Sequence, residues 1–181
     1  MNAATLRNLV VTALKVAGTD AGDRVYSPRD WSTRGEDYPV LMVQTPFEEK
    51  QSMGRNVPQF TTVTTIRVTG RLEAFDSETD DGAVMAEEGL EALRQQIEMA
   101  VINSYELTRS IQQFRHIRSA IDVDASGDGH IGQLTFEIDA EYYQGPEDFY
   151  PIQGVALQGV DLTIEQPDGT TQPGFNADLP Q

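Results

Sequence analysis

The chain has 181 residues, no cysteine, and 29 acidic residues against 13 Lys plus Arg, for a net charge of −16. That length suits one domain burying roughly 70% of the surface its unfolded chain exposes. The missing cysteines exclude disulfides and thiolate metal sites, and an acidic surface without a basic run argues against sequence-specific nucleic-acid binding.

No apolar run approaches the about 18 residues of a membrane span, and the N-terminus lacks the basic flank of a signal peptide, so a soluble intracellular product with no membrane contact is expected. In chain order, Asn2 to Ala17 is predicted as an amphipathic helix. Leu6, Leu9, Val10, Ala13, Leu14 and Ala17 recur at three- and four-residue spacings, and Gly18 can end the helix in the left-handed conformation. Arg24-Val25-Tyr26 opens a short strand that Pro28 restricts. Trp31, the only tryptophan, falls in a loop, where a core or rim anchor is the first expectation and a subunit contact the second. Tyr38 to Thr45 is a strand whose apolar run Val40–Val43 calls for cover on both faces.

Pro46 to Gln59 carries Phe47, Glu48, Glu49, Lys50 and Arg55 between two prolines with no sustained period. It is predicted as a long loop, either a flexible hairpin connection or an arm reaching a partner. Phe60 to Phe75 is the longest strand signal. From Ile66 on, its apolar and polar residues alternate; before that, Thr61, Thr62, Thr64 and Thr65 surround a single valine. Such a strand predicts either a bulge near Gly70 or an end, Phe60 to Thr65, that projects past the sheet with the preceding segment as its hairpin partner.

A second helix is predicted over Ala83 to Ser104, with Ala86, Leu90, Leu93, Ile97 and Val101 inward, an Arg94–Glu98 pair outward, and Gly89 either marking close approach to the sheet or standing as a tolerated surface glycine. Phe114 to Val123 and Ile131 to Tyr143 form the clearest hairpin. Val155 to Gln166 alternates as a last strand, after which Thr170 to Gln181 reads as a tail. The fold class is therefore α+β: a mainly antiparallel or mixed sheet, two amphipathic helices on one face and a long projecting hairpin, with a single domain over 1–166 and a flexible tail over 167–181.

Chemistry-bearing constellations are sparse. Asp122, Asp124, Ser126, Asp128 and His130 space oxygen ligands like a calcium loop, but Gln133 stands where a bidentate glutamate belongs and the flanks alternate as strands, so an acidic hairpin tip is expected. His116 and His130 alone make neither a zinc site nor a general base. Phosphate-binding glycine motifs are absent. No catalytic residue, metal or cofactor is expected, and the chain is not expected to be an enzyme.

The helix followed closely by Arg24-Val25-Tyr26, the apolar strand after Tyr38-Pro39, the long threonine-rich strand, the helix over Ala83–Ser104 and the closing antiparallel pair together resemble the tail terminator (tail completion) proteins of long-tailed bacteriophages and related phage-like particles. The resemblance spans roughly residues 3 to 143; Gln144 to Gln181 departs from it and leaves room for a more specialised connector or baseplate protein. It implies a structural virion protein in the virion tail, assembled in the host cytoplasm. It further implies a hexameric ring that caps the tail tube, ends its polymerisation and joins it to head-completion or connector proteins. DNA would pass through the ring, and an acidic lumen would not retain it. On this reading Phe47, Glu48, Glu49, Lys50, Arg55, Thr61 and Thr62 meet neighbouring subunits or the tube. The alternative is a non-enzymatic baseplate or connector module that recognises a protein or glycan through Trp31, Phe149 and Tyr150 in aromatic loops.

Overall fold

The computed structural model describes residues 1–28, 37–55, 58–75, 81–124, 129–150 and 159–178. Asn2 caps the first helix, α1 (Ala3–Ala17), by accepting from the Thr5 amide, and Gly18 closes it at φ 63°. Chain order then runs β1 (Val25–Tyr26), β2 (Val40–Ser52), β3 (Phe60–Phe75), α2 (Gly82–Ile102), the single turn α3 (Tyr105–Thr108), β4 (Gln113–Asp124), β5 (Gly129–Gln144), β6 (Gly159–Glu165) and β7 (Thr171–Asp178). Two compact units divide it, Met1–Phe149 and Tyr150–Gln181.

The first unit is an α+β layer. Its five strands lie in the order β1-β2-β3-β5-β4, with β1 parallel to β2 and every other pair antiparallel. Both long helices pack on one face of this sheet. Leu6, Val10 and Leu14 of α1 and Leu90, Leu93, Ile97 and Val101 of α2 meet Leu41, Val43, Ile66, Val68, Leu134, Phe136 and Ile138, and all are buried. The α2 stripe is the predicted one. Leu9 packs against this core as expected, whereas Ala13 is only half-buried and Ala17, expected beside it, is exposed; all three also line the side of α1 that faces α2. Arg94 pairs with Glu91 at 3.5 Å rather than with the predicted Glu98.

Glycines let α2 lie close on the sheet. A Cβ at Gly89 would come within 2.8 Å of Leu72 Cδ1, and one at Gly132 within 2.5 Å of Leu90 Cδ1. Gly70 serves the same purpose, its Cβ position lying 3.0 Å from Leu93 Cδ2. The bulge predicted near Gly70 is not there: β3 pairs with β5 without a break from Phe60–Gln144 to Phe75–Gly129. The irregularity falls in β2 between Gln44 and Phe47, around Pro46, which has no amide hydrogen to give to a ladder.

Three further expectations are corrected. Pro46 to Gln59 is not a loop throughout, because β2 continues to Ser52 and pairs with Phe60–Thr65. The outer half of β3 is not a two-stranded arm, because β5 runs along its other side to Gln144. The segment after 166, expected as a tail, contains β7, paired antiparallel with β6.

The second unit is a two-stranded ribbon in which Leu162 sits opposite Phe175. A bulge at Gly174 lets the strands close up, since a Cβ there would lie 2.8 Å from the Leu162 carbonyl oxygen.

Candidate functional site

The outer end of the sheet, where Phe47–Ser52, Phe60–Thr65 and Asp139–Gln144 run side by side, carries most of the residues singled out from the sequence. On the helix side, polar groups replace the aliphatic core. Glu48 Oε2 accepts from the Thr64 hydroxyl at 3.2 Å and the Tyr142 hydroxyl at 3.1 Å, while its Oε1 meets Lys50 Nζ at 2.5 Å. Lys50 also donates to Gln144 Oε1 at 2.6 Å, which accepts from the Thr62 hydroxyl at 2.9 Å; Gln144 in turn donates to the Met1 carbonyl at 2.6 Å. The Met1 ammonium pairs with Asp148.

Thr62 and Thr64 are fully buried, and these bonds are what make that burial tolerable. Their side chains face inward and hold β2 to β5; they are not displayed to a partner. Burial pushes the Tyr142 phenol up to about 12, opposed by the Thr64 hydrogen bond and reinforced by the Glu48 charge. Burial also works to raise the Glu48 carboxyl, but hydrogen bonds from Lys50, Tyr142 and Thr64 and the Lys50 charge outweigh it and hold Glu48 below the usual carboxylate range.

The helix-free face carries a ladder of ions across β3, β5 and β4. Glu137 takes Arg67 Nε at 2.8 Å and Arg118 Nε at 2.7 Å; Asp139 takes Arg118 Nη1 at 3.0 Å and the Thr65 hydroxyl at 2.6 Å. His116 Nδ1 stands 3.7 Å from Asp139. The Arg118 and Arg67 hydrogen bonds hold Glu137 below the ordinary glutamate value of 4.5, against a smaller opposing effect of burial. A depressed carboxylate contributes stability that is present above its unfolded pKa and lost as pH falls through its folded pKa. Thermal melts are therefore expected to be flat from neutral pH down to about 4.5 and to drop below it. Glu137→Gln should lower the melting temperature at pH 7 and narrow its gap to the parent chain as the pH falls to 3; a gap that stays constant would exclude this contribution.

Of the remaining sequence-singled residues, Phe47 and Glu49 project from β2 on the helix-free side, with Phe47 60% exposed. Arg55 is exposed in the connection after Ser52, and Thr61 is half-buried opposite Tyr143. Phe149 stacks edge-on against Phe60 at 5.5 Å between centroids, which anchors it. Tyr150 is exposed. Trp31 and the hairpin tip at Ala125–Asp128 lie outside the described residues, so neither an aromatic surface including Trp31 nor the calcium-like turn is placed. Among the described residues no group of three or more His, Asp or Glu is arranged to hold a metal.

Both long edges of the sheet are open among the described residues. β1 covers only Leu41 and Met42 of β2, leaving Phe47–Ser52 as one edge, and β4 pairs only with β5, leaving Gln113–Asp124 as the other. These edges meet at one level: Glu49 lies opposite Val63, Val63 opposite Glu141, and Glu141 opposite Gln113. The outer β2 edge carries Glu48 and Glu49, whereas β4 near that level carries Arg115 and His116, with Arg115 at a bulge between Phe114 and His116; Arg118 lies further along, level with Gln44. The sequence pattern places His116 and Arg118 on the wet face of this strand, but it does not single out Arg115, because a bulge leaves no mark in the alternation.

No protein-family model matches the chain, and no curated protein matches it. Among solved structures, a chain of the "Virion of native gene transfer agent (GTA) particle" is similar at 15% identity, over 75% of this chain and 94% of that one, with a TM-score of 0.45. At that level the similarity decides nothing about function.

Proposed function

We propose that the protein is a structural component of a phage-like virion that assembles into a ring, hexameric by its resemblance to tail terminators, capping the tail tube and joining it to head-completion proteins. The observation that carries the ring is the pair of open edges. β4 runs opposite to β2, so β4 of one copy beside β2 of the next continues the sheet antiparallel at the same level. Such a contact joins two different surfaces and is therefore head-to-tail, the kind that closes rings. An isologous antiparallel pairing of two β2 edges centred on Glu49 would set that carboxylate against its own copy, and like charges across an interface disfavour it. The net charge of −16 suits a lumen through which DNA slides.

Native mass spectrometry of the full chain at assembly-like concentration tests the proposal. A closed ring is expected, and addition of tail-tube subunits should be followed by binding to tube ends and arrest of their growth. A monomer at every concentration, with no effect on tube length, would overturn it.

A further inference from the structure

The outer side of the helical layer carries a groove of about 630 Å³ between the C-terminal halves of α1 and α2, lined chiefly by Leu9, Ala13, Val16, Met99, Ala100 and Tyr105. Val16 is 82% and Tyr105 72% exposed, so with the rest of the lining they form a contiguous exposed apolar patch of the kind that marks interaction sites. Thr19 lines the same groove; it is buried, and its hydroxyl has no hydrogen-bond partner among the described residues. Glu106 is the single charged residue of the lining, and Arg109 neutralises it at 2.9 Å. On so acidic a chain this is a nearly uncharged surface.

The second unit offers the complementary shape. Val160, Leu162 and Ile164 share one side of β6, Phe175 joins them from β7, and all four are exposed. Two strands alone are marginal in water unless a third element covers their apolar side. The chain from Ser119 to Gln181 contains no Lys or Arg, so this ribbon is acidic and is repelled by most of the protein's surface, but not by the groove.

We infer that the β6–β7 ribbon of one copy seats Leu162, Ile164 and Phe175 in the α1–α2 groove of a second copy. The contact again joins two different surfaces, so it propagates in one direction around a ring and clamps each subunit to the next. It rests on the ring reading in requiring a neighbour.

The chain's lack of cysteine makes the test clean. Val16→Cys and Leu162→Cys, prepared as separate full-length chains, are mixed under assembly conditions and mildly oxidised. Covalent heterodimers are expected at least tenfold above those formed by Leu162→Cys with Glu73→Cys, which lies on the helix-free face. Native mass spectrometry on the same mixtures separates the two ideas. Rings without cross-linking above the control overturn the ribbon contact and leave the ring standing, while monomers throughout overturn both. A cross-link that forms only within a chain carrying both cysteines would show the ribbon on its own groove and also overturn the inference. In the uncross-linked protein, Leu162→Asp with Phe175→Asp should weaken assembly at least tenfold while leaving the melting of the first unit unchanged; unchanged assembly contradicts the contact.

Discussion

Glu49→Arg and Arg115→Glu are each expected to weaken self-assembly about tenfold or more, and the double variant to restore it. Both side chains are exposed at open edges of the sheet and at nearly the same level, one on outer β2 and the other at the β4 bulge. In an antiparallel junction between copies at that level Glu49 would lie opposite Gln113, with the long Arg115 side chain of the neighbouring bulge within reach of it. Two like charges brought together there cost up to several kcal/mol, and about 1.4 kcal/mol already amounts to a factor of ten. The design guards against a general charge effect. One single variant makes the chain less acidic, the other more so, and the double keeps the net charge at −16. Weakening in both singles with recovery in the double can come only from the pair. Sedimentation equilibrium or native mass spectrometry at low and about 0.5 M salt reads the result, with the differences shrinking as salt screens the pair. If both singles assemble like the parent, or the double fails to recover, the edge-to-edge junction is wrong and the ring must close through another surface.

The parts of this fold legible in the sequence are those where one periodicity had no competitor. The α2 stripe Ala86, Leu90, Leu93, Ile97 and Val101 and the Leu134–Tyr142 alternation in β5 each bury the residues their spacing selects. Gly18 kept its predicted role, and Gly89 took the close-approach reading of its two, because a left-handed cap and a close helix approach leave few alternatives to glycine. What misled was polarity. Thr62 and Thr64 offer little apolar area, which pointed outward; they are buried because Gln144, Glu48 and Tyr142 satisfy their hydroxyls, partners some eighty residues away or across a hairpin. No local pattern reports such a bond.

The same holds for Phe47-Glu48-Glu49-Lys50, where Pro46 and the charges read as loop. The strand continues there because its outer side is a sheet edge: the ladder has no second neighbour for Pro46 to disappoint, and charges on an edge keep it from pairing indiscriminately. Of the residues expected to meet a partner, Thr62 is buried under a brace in which Glu48 and Lys50 stand at the exposed β2 edge, while Phe47, Glu49 and the unpredicted Arg115 are turned outward. The α1 groove escaped for a related reason. Leu9, Ala13 and Val16 form a second stripe beside Leu6, Val10 and Leu14, and a helix with two adjacent apolar stripes reads as one broad face until its neighbour is placed.

Gly132→Val is expected to destabilise the first unit by about 1–3 kcal/mol, the range found when methylenes are forced into a filled core. Gly132 is buried on the helix face of β5, between Leu72 and Val123 on its neighbouring strands. The first added carbon would sit 2.5 Å from Leu90 Cδ1 and 3.8 Å from Ala86 Cβ, and valine adds two more carbons in the same space. Leu90 is fully buried, so its tip cannot swing into solvent, and relief requires α2 to lift from the sheet. Valine's preference for strands works the other way, but that scale spans only about 1 kcal/mol. For a chain of this size each kcal/mol moves the melting point by about 2–4 °C, so a loss of several degrees is the observable. Gly54→Ala, where nothing lies within 4 Å, provides the neutral control. The decisive arm is the cycle with Leu90→Ala, which empties the space that the valine needs. The two substitutions together should cost at least about 1 kcal/mol less than their separate costs added, because residues in direct contact couple at that scale. Strict additivity would mean that Gly132 is not where α2 is held against the sheet.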